Sequence, residues 1–280
     1  MSVLVKTWDG VTLHCTQTGP QSAPNLLLIP GWSQTAAQWR KQVEFFSKTN
    51  RVTTYDHRGH GESEKPQGGY RVSRLASDLN DLIIQLDLKD VTIVGHSMGC
   101  CVTWSYWELF ADSRKRISKL VFVDEPATLV ANPDWTDAQK EAISAVFTPQ
   151  SLYETANGIQ LSSDVRVGLL KGMCTSSMSQ EDFDWILEQN CKMTAKDAAT
   201  LLLDHAWKDW SDVLPTIINV PTLVIGAKGS IVTNQGIENI ANLIKGSSIE
   251  IFERDQGGSH FMFWENPEKF NSVIYKFLEK

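Results

Sequence analysis

The sequence predicts an α/β fold: a mostly parallel sheet with helices on both faces and a helical insertion above it. Three observations carry this. Short apolar runs alternate with longer segments of helical spacing, and strand–helix–strand alternation is the pattern of a parallel sheet. Some runs are continuous rather than alternating, as in Leu26-Leu27-Leu28-Ile29, which suits strands buried on both faces. Between Phe122 and Leu223 no strand-like run occurs although helical patterns do, and that stretch is several times longer than one crossover needs.

Each element follows in order. Val3–Thr7 and Val11–Cys15 read as strands joined through the turn Trp8-Asp9-Gly10. Buried strands come next at Leu26–Ile29, Val52–Tyr55, Val91–Val94, Leu120–Val123 and Thr222–Ile225, with a last one at Ile249–Phe252. Helices over Gln38–Lys48, Arg71–Leu86, Met98–Phe110, Gln235–Ile244 and Pro267–Leu278 separate them. In the second, Leu75, Leu79, Leu82, Ile83 and Leu86 recur on one helical face. The last opens with Asn266 as cap and Pro267 at the first helical position. The insertion carries helices at Ala138–Phe147, Ser163–Met173, Asp182–Cys191 and Ala195–Ala206. The division is a core of residues 1–127 and 213–280 with a helical cap at 128–212.

Composition excludes several classes. With 42% hydrophobic and 21% charged residues the chain is not a disordered one. Lys and Arg number 26 against 33 Asp and Glu, a net charge of −7 without a basic cluster, which argues against nucleic-acid partners and anionic membrane surfaces. The five cysteines are scattered without a C-x-x-C pair, so neither a disulfide framework nor a zinc site is read, and Cys100 and Cys101 read as small packing residues. The first ten residues lack a signal-peptide pattern and no apolar run is long enough to span a bilayer, so a soluble, cytoplasmic protein is expected.

The chemistry lies in one motif. The strand Val91–Val94 runs into Gly95-His96-Ser97-Met98-Gly99 and then into a helix. This is G-x-S-x-G in its required strand–turn–helix context, with glycines where a side chain would clash and Ser97 lifted above the sheet. The amide of Met98 falls in the first turn of the helix, where donors are free and the dipole favours negative charge. A serine nucleophile needs a base. His260, in the loop Gly257-Gly258-Ser259-His260-Phe261 between the last strand and last helix, stands at the same edge of the sheet.

The acid is the harder assignment. Its commonest place, three residues past the glycine ending Thr222–Ile225, holds Gly229, and no Asp or Glu occurs from Gly226 to Gly236. Asp124, at the carboxyl tip of the strand Leu120–Val123, is assigned instead, with Glu125 next and Asp255 third. A carboxylate there would fix the tautomer of His260 and stabilise its imidazolium. The oxyanion needs two amide donors. Met98 is one, and Trp32, in the loop Pro30-Gly31-Trp32-Ser33, is the other.

Taken together, Pro30-Gly31-Trp32, Asp56-His57-Arg58-Gly59-His60-Gly61-Glu62-Ser63, Gly95–Gly99, Val220–Gly226 and Gly258–Phe261 make the chain resemble an α/β-hydrolase over nearly its whole length. The resemblance is to the esterase and non-haem haloperoxidase-like branch. It implies an eight-stranded, mostly parallel sheet with a helical cap. It also implies a structural part for the Asp56–Ser63 loop, so Arg58 and Ser63 are not assigned to catalysis. An acid at Asp124 rather than at position 229 also resembles the cofactor-independent ring-cleaving dioxygenases of this fold, in which a His/Asp pair acts on the substrate directly.

The expected activity is hydrolysis of a carboxylic ester of a small apolar or aromatic substrate through an acyl-enzyme. Its residues are Ser97, His260, Asp124, Trp32 and Met98, with no cofactor and no metal. Cofactor-free oxygenation or C–C bond hydrolysis by the His/Asp pair is the alternative, and a non-catalytic ligand-binding receptor is the third. The expected partner is a small-molecule substrate, and the expected state is monomer or homodimer. Trp32 is expected to line the site, and Met173, Met178 and Met193 to supply an adaptable apolar lid.

Overall fold

The computed structural model describes residues 1–217 and 219–280. Eight strands form one sheet: β1 (Ser2–Lys6), β2 (Thr12–Thr18), β3 (Asn25–Ile29), β4 (Arg51–Tyr55), β5 (Val91–His96), β6 (Ile117–Val123), β7 (Thr222–Ala227) and β8 (Ser248–Phe252). The helices are α1 (Arg40–Phe46), α2 (Val72–Gln85), α3 (Met98–Leu109), α4 (Asp137–Ile143), α5 (Pro149–Leu161), α6 (Ser163–Gly172), α7 (Gln180–Cys191), α8 (Ala195–Ala206), α9 (Asn234–Leu243), α10 (Met262–Glu265) and α11 (Pro267–Leu278). The strand order is β1-β2-β4-β3-β5-β6-β7-β8. β2 pairs antiparallel with β1 and β4, and every pair beyond β4 is parallel. Among the described residues no helix is long and apolar enough to cross a membrane.

The continuous apolar runs do what their composition implies. In β3, Leu27 and Ile29 join one apolar cluster while Leu26 and Leu28 join another, so the strand is packed from both faces. α2 turns Leu75, Leu79, Leu82 and Ile83 into the first cluster. α11 starts as expected, with Asn266 Oδ1 accepting from the Lys269 amide at 3.1 Å and Pro267 at the first position.

Three elements differ from the sequence reading. The helix expected over Ala138–Phe147 stops at Ile143, because Ser144 turns into the left-handed region at φ 64°. Phe147 then bridges Val130 instead. α5 was not anticipated, although its signals are present: Thr148 and Ser151 form a reciprocal cap, Pro149 follows, and Leu152, Ala156 and Ile159 are buried at helical spacing. The helix expected over Gln38–Lys48 divides into a 3₁₀ turn at Ala36–Trp39 and α1.

The contact that positions the site is the approach of α3 to the strands. A Cβ on Gly95 would lie 2.7 Å from the Gly99 carbonyl oxygen, and one on Gly99 would lie 2.7 Å from that of Ile29. Both atoms are backbone and cannot swing away. Gly99→Ala is therefore expected to cost about 1–3 kcal/mol of stability, read as a lower midpoint of urea unfolding.

Three histidines are buried as neutral rings. Burial holds His57 down to about 3 and also lowers His60 and His96. The unfolded chain takes up protons on these rings more readily than the folded chain does, so stability is lost as pH falls. Asp78, pushed up to about 6 by burial, opposes this at lower pH because it keeps a proton that the unfolded chain releases. Acidification from about pH 7.5 to about pH 6 is expected to lower the unfolding free energy by about 1–2 kcal/mol, measured by urea titration at both pH values.

Candidate active site

In a parallel sheet every strand delivers its following loop to the same edge, and ligands bind there. Here the loops after β3, β5, β6, β7 and β8 converge. Ser97, between β5 and α3, has φ 53° and ψ −127°, a strained conformation for a residue with a side chain. Its amide donates to the Val123 carbonyl at 2.8 Å, which ties the bend to the end of β6.

Asp124 follows Val123 directly. It also has a positive φ, 58°, and its amide donates to the Ile225 carbonyl at 2.8 Å. Its carboxylate is fully buried and points at the loop after β8. His260 Nδ1 lies 2.6 Å from Asp124 Oδ2 and donates its proton there. The Ser230 hydroxyl, from the loop after β7, donates to the same oxygen. Burial raises the Asp124 carboxyl above the usual carboxylate range, and the bonds from His260 and Ser230 oppose that rise.

With Nδ1 committed, His260 Nε2 is left without a protein partner among the described residues. Ser97 and His260 line one cavity of about 100 Å³, together with Trp32, Leu129, Phe147, Leu169, Met173 and Leu202. A side recess of about 20 Å³ reaches Gly31 and Phe261. No hydrogen bond joins Ser97 to His260; the two groups face a shared space.

The backbone of His260 is fixed from two sides. Its amide donates to the Met173 carbonyl at 3.1 Å, at the end of α6, and its carbonyl accepts from His96 Nε2 at 2.9 Å. Burial, together with the nearby His260, keeps the His96 ring neutral. That leaves His96 Nδ1 as an acceptor, and Gln38 Nε2 faces it at 3.4 Å.

Gly31 packs directly on the serine: a Cβ there would lie 3.2 Å from Ser97 Cβ. The amides of Trp32 and Met98 have no protein acceptor among the described residues. The Trp32 indole walls the cavity and donates to the Ala198 carbonyl at 2.8 Å, which tethers it to α8.

The structure separates the three carboxylates considered for the acid. Asp124 meets His260. Glu125 turns the other way, and its Oε1 accepts from His205 Nε2 at 2.7 Å and from the Cys101 thiol at 3.3 Å. Asp255 is exposed in the 3₁₀ turn Arg254–Gln256. Position 229 has no room for a carboxylate, because a Cβ there would lie 2.4 Å from the Gly258 carbonyl oxygen. Cys101 is therefore a hydrogen-bond donor as well as a packing residue. Among the described residues, Cys101, Glu125 and His205 also bring three candidate metal-ligand atoms within 4.8 Å of one another, although burial holds the thiol well above its ordinary range and so protonated.

Sequence reasoning did not find His96, Ser230 or His205. Ser230 carried a signal, since it sits one residue past the empty acid position. His96 and His205 carried none, because their partners are remote in the chain.

Comparison with known proteins agrees with this architecture. A family model described as the alpha/beta hydrolase fold matches residues 24–267. A non-heme chloroperoxidase of Kitasatospora aureofaciens is 28% identical over 285 residues, 98% of each chain. A 3-oxoadipate enol-lactonase of Acinetobacter baylyi is 25% identical over 98% of this chain and 96% of its own. An esterase structure from Exiguobacterium antarcticum superposes with a TM-score of 0.89 at 21% identity, covering 100% of both chains. With that family model spanning most of its length and the eight-stranded sheet beneath its site, the chain belongs to the alpha/beta hydrolase fold family.

Proposed function

We propose that the protein hydrolyses carboxylic esters of small apolar or aromatic substrates through an acyl-enzyme. One observation carries the reading: a histidine oriented by a buried carboxylate at 2.6 Å shares a cavity with a serine on a strained strand–helix bend. The wall of that cavity is mostly aliphatic and aromatic, and its volume of about 100 Å³ favours a small substrate. Relatives named esterase and enol-lactonase support ester chemistry.

The steps follow from the positions of the donors. Ser97 Oγ attacks the ester carbonyl while His260 Nε2 takes the hydroxyl proton. The amides of Trp32 and Met98 donate to the oxyanion, in a site where such donors are preorganised. Asp124 stabilises the imidazolium and holds its Nδ1 proton. Collapse breaks the bond to the alcohol, which leaves with the proton from Nε2. Water, deprotonated by the same nitrogen, then attacks the acyl-serine and releases the acid.

A second reading has one observation in its favour. His260 Nε2 faces the cavity without a bond to Ser97, so the His260–Asp124 pair could remove a proton from a substrate directly. Ser97→Ala decides between them. Ester hydrolysis predicts a fall of at least ~10³-fold on a p-nitrophenyl ester, with loss of labelling by an organophosphonate. Retention of both would overturn the serine mechanism, while oxygen uptake that survives Ser97→Ala and not His260→Ala would establish the second reading. Asp124→Asn is expected to lower kcat by roughly 10³–10⁴-fold, because the amide cannot hold the Nδ1-protonated tautomer, and steady-state kinetics with the folded variant checks this.

A further inference from the structure

The tip of β6 carries two consecutive buried carboxylates, and the mechanism uses only Asp124. Glu125 is 4% exposed and lines the same cavity as Ser97. Its Oε1 is saturated by His205 Nε2 at 2.7 Å and by the Cys101 thiol at 3.3 Å. Its Oε2 takes no hydrogen bond from any described residue, and the side chain stands in the wall of the cavity. The wall around it is apolar: Leu129, Phe147, Leu169, Leu202, Ile231 and Val232.

A carboxylate oxygen in an apolar wall needs a donor. Water supplies one while the cavity is open. A ligand that fills the cavity expels that water and either replaces the donor or leaves the oxygen unpaired. The two bonds to Oε1 hold the carboxylate in one orientation, so a ligand donor meets a preorganised acceptor.

We propose that Glu125, oriented by His205 and Cys101, is a specificity-determining acceptor that selects otherwise apolar substrates bearing a hydroxyl or N–H group away from the reacting ester. This deepens the ester-hydrolase reading and rests on it for the identity of the reaction. The discrimination expected from one hydrogen bond to a carboxylate is roughly 10- to 100-fold.

The test uses pairs of p-nitrophenyl esters whose acyl chains, of about three to six carbons, end in methyl or in hydroxyl. Hydrolysis is measured with the unaltered protein, and binding with Ser97→Ala by tryptophan fluorescence. At one chain length the hydroxyl ester should be preferred roughly 10- to 100-fold in both. Glu125→Gln, which keeps the side-chain volume, should bring the ratio to within about threefold of one. If that variant does not fold, the ratio in the protein retaining Glu125 decides. A ratio within about threefold of one at every length, or one unchanged by Glu125→Gln, overturns the proposal. Hydrolysis without preference overturns it and leaves the ester reading standing. Preferential binding without hydrolysis upholds it and removes the ester reading. Neither binding preference nor hydrolysis removes both.

Discussion

The start of α3 lies so close to the strands beneath it that no side chain fits between them, and the site depends on that approach. Gly95 and Gly99 permit it, and Ser97 is held between them at a φ that costs about 1–3 kcal/mol. The surrounding packing over-determines the bend. Every residue of α3 from Met98 to Trp107 is buried, and the Ser97 amide is bonded to the end of β6. The strain therefore cannot relax without unseating a helix from the core. What it yields is a hydroxyl raised into the cavity beside free helix-terminal amides.

β6 solves a second problem with two adjacent residues. Consecutive side chains at a strand end diverge, and Asp124 and Glu125 each take a histidine from a different part of the molecule. His260 comes from the loop after β8, and His205 comes from α8 in the helical insertion. Both carboxylates are buried and both are bonded, as such groups must be. The first pair leaves an imidazole nitrogen facing the cavity. The second leaves Glu125 Oε2 without a bond to any described residue, in the wall of the same cavity. Two buried histidine–carboxylate pairs thus come from one strand tip, separated by the direction of their side chains.

Helices α6 to α8 are bound to the loops at the edge of the sheet by polar contacts that also shape the cavity. Trp32 reaches Ala198, Ser33 donates to the Asn190 carbonyl at 2.8 Å, and His260 is tied to Met173. Helices α6 to α8 are thereby fixed to the loops after β3 and β8. His96 adds a further brace from inside the elbow, as a neutral ring that holds the His260 carbonyl. Replacing that ring would remove the bond that holds the His260 carbonyl.

Local chemistry was legible in the residues alone. The apolar runs marked buried strands, the glycine spacing marked the bend around Ser97, and Asn266-Pro267 marked the start of α11, because each depends on neighbours a few positions away. The break at Ser144 and the helix α5 were missed for a different reason: the run before Ser144 looks helical until the backbone turns, and the Thr148 cap is short. The preference for Asp124 came from the sequence, because no carboxylate lies between Gly226 and Gly236, but the contacts themselves span long separations. Asp124 and His260 are 136 positions apart, and Glu125 and His205 are 80 apart. Position 229 is closed by a carbonyl from residue 258, which no spacing rule contains. Short-range sterics and periodicity thus set the scaffold and the strained bend that carries Ser97. Long-range packing decided how Asp124 reaches His260 and that Glu125 meets His205, since side-chain direction at a strand tip depends on everything folded around it.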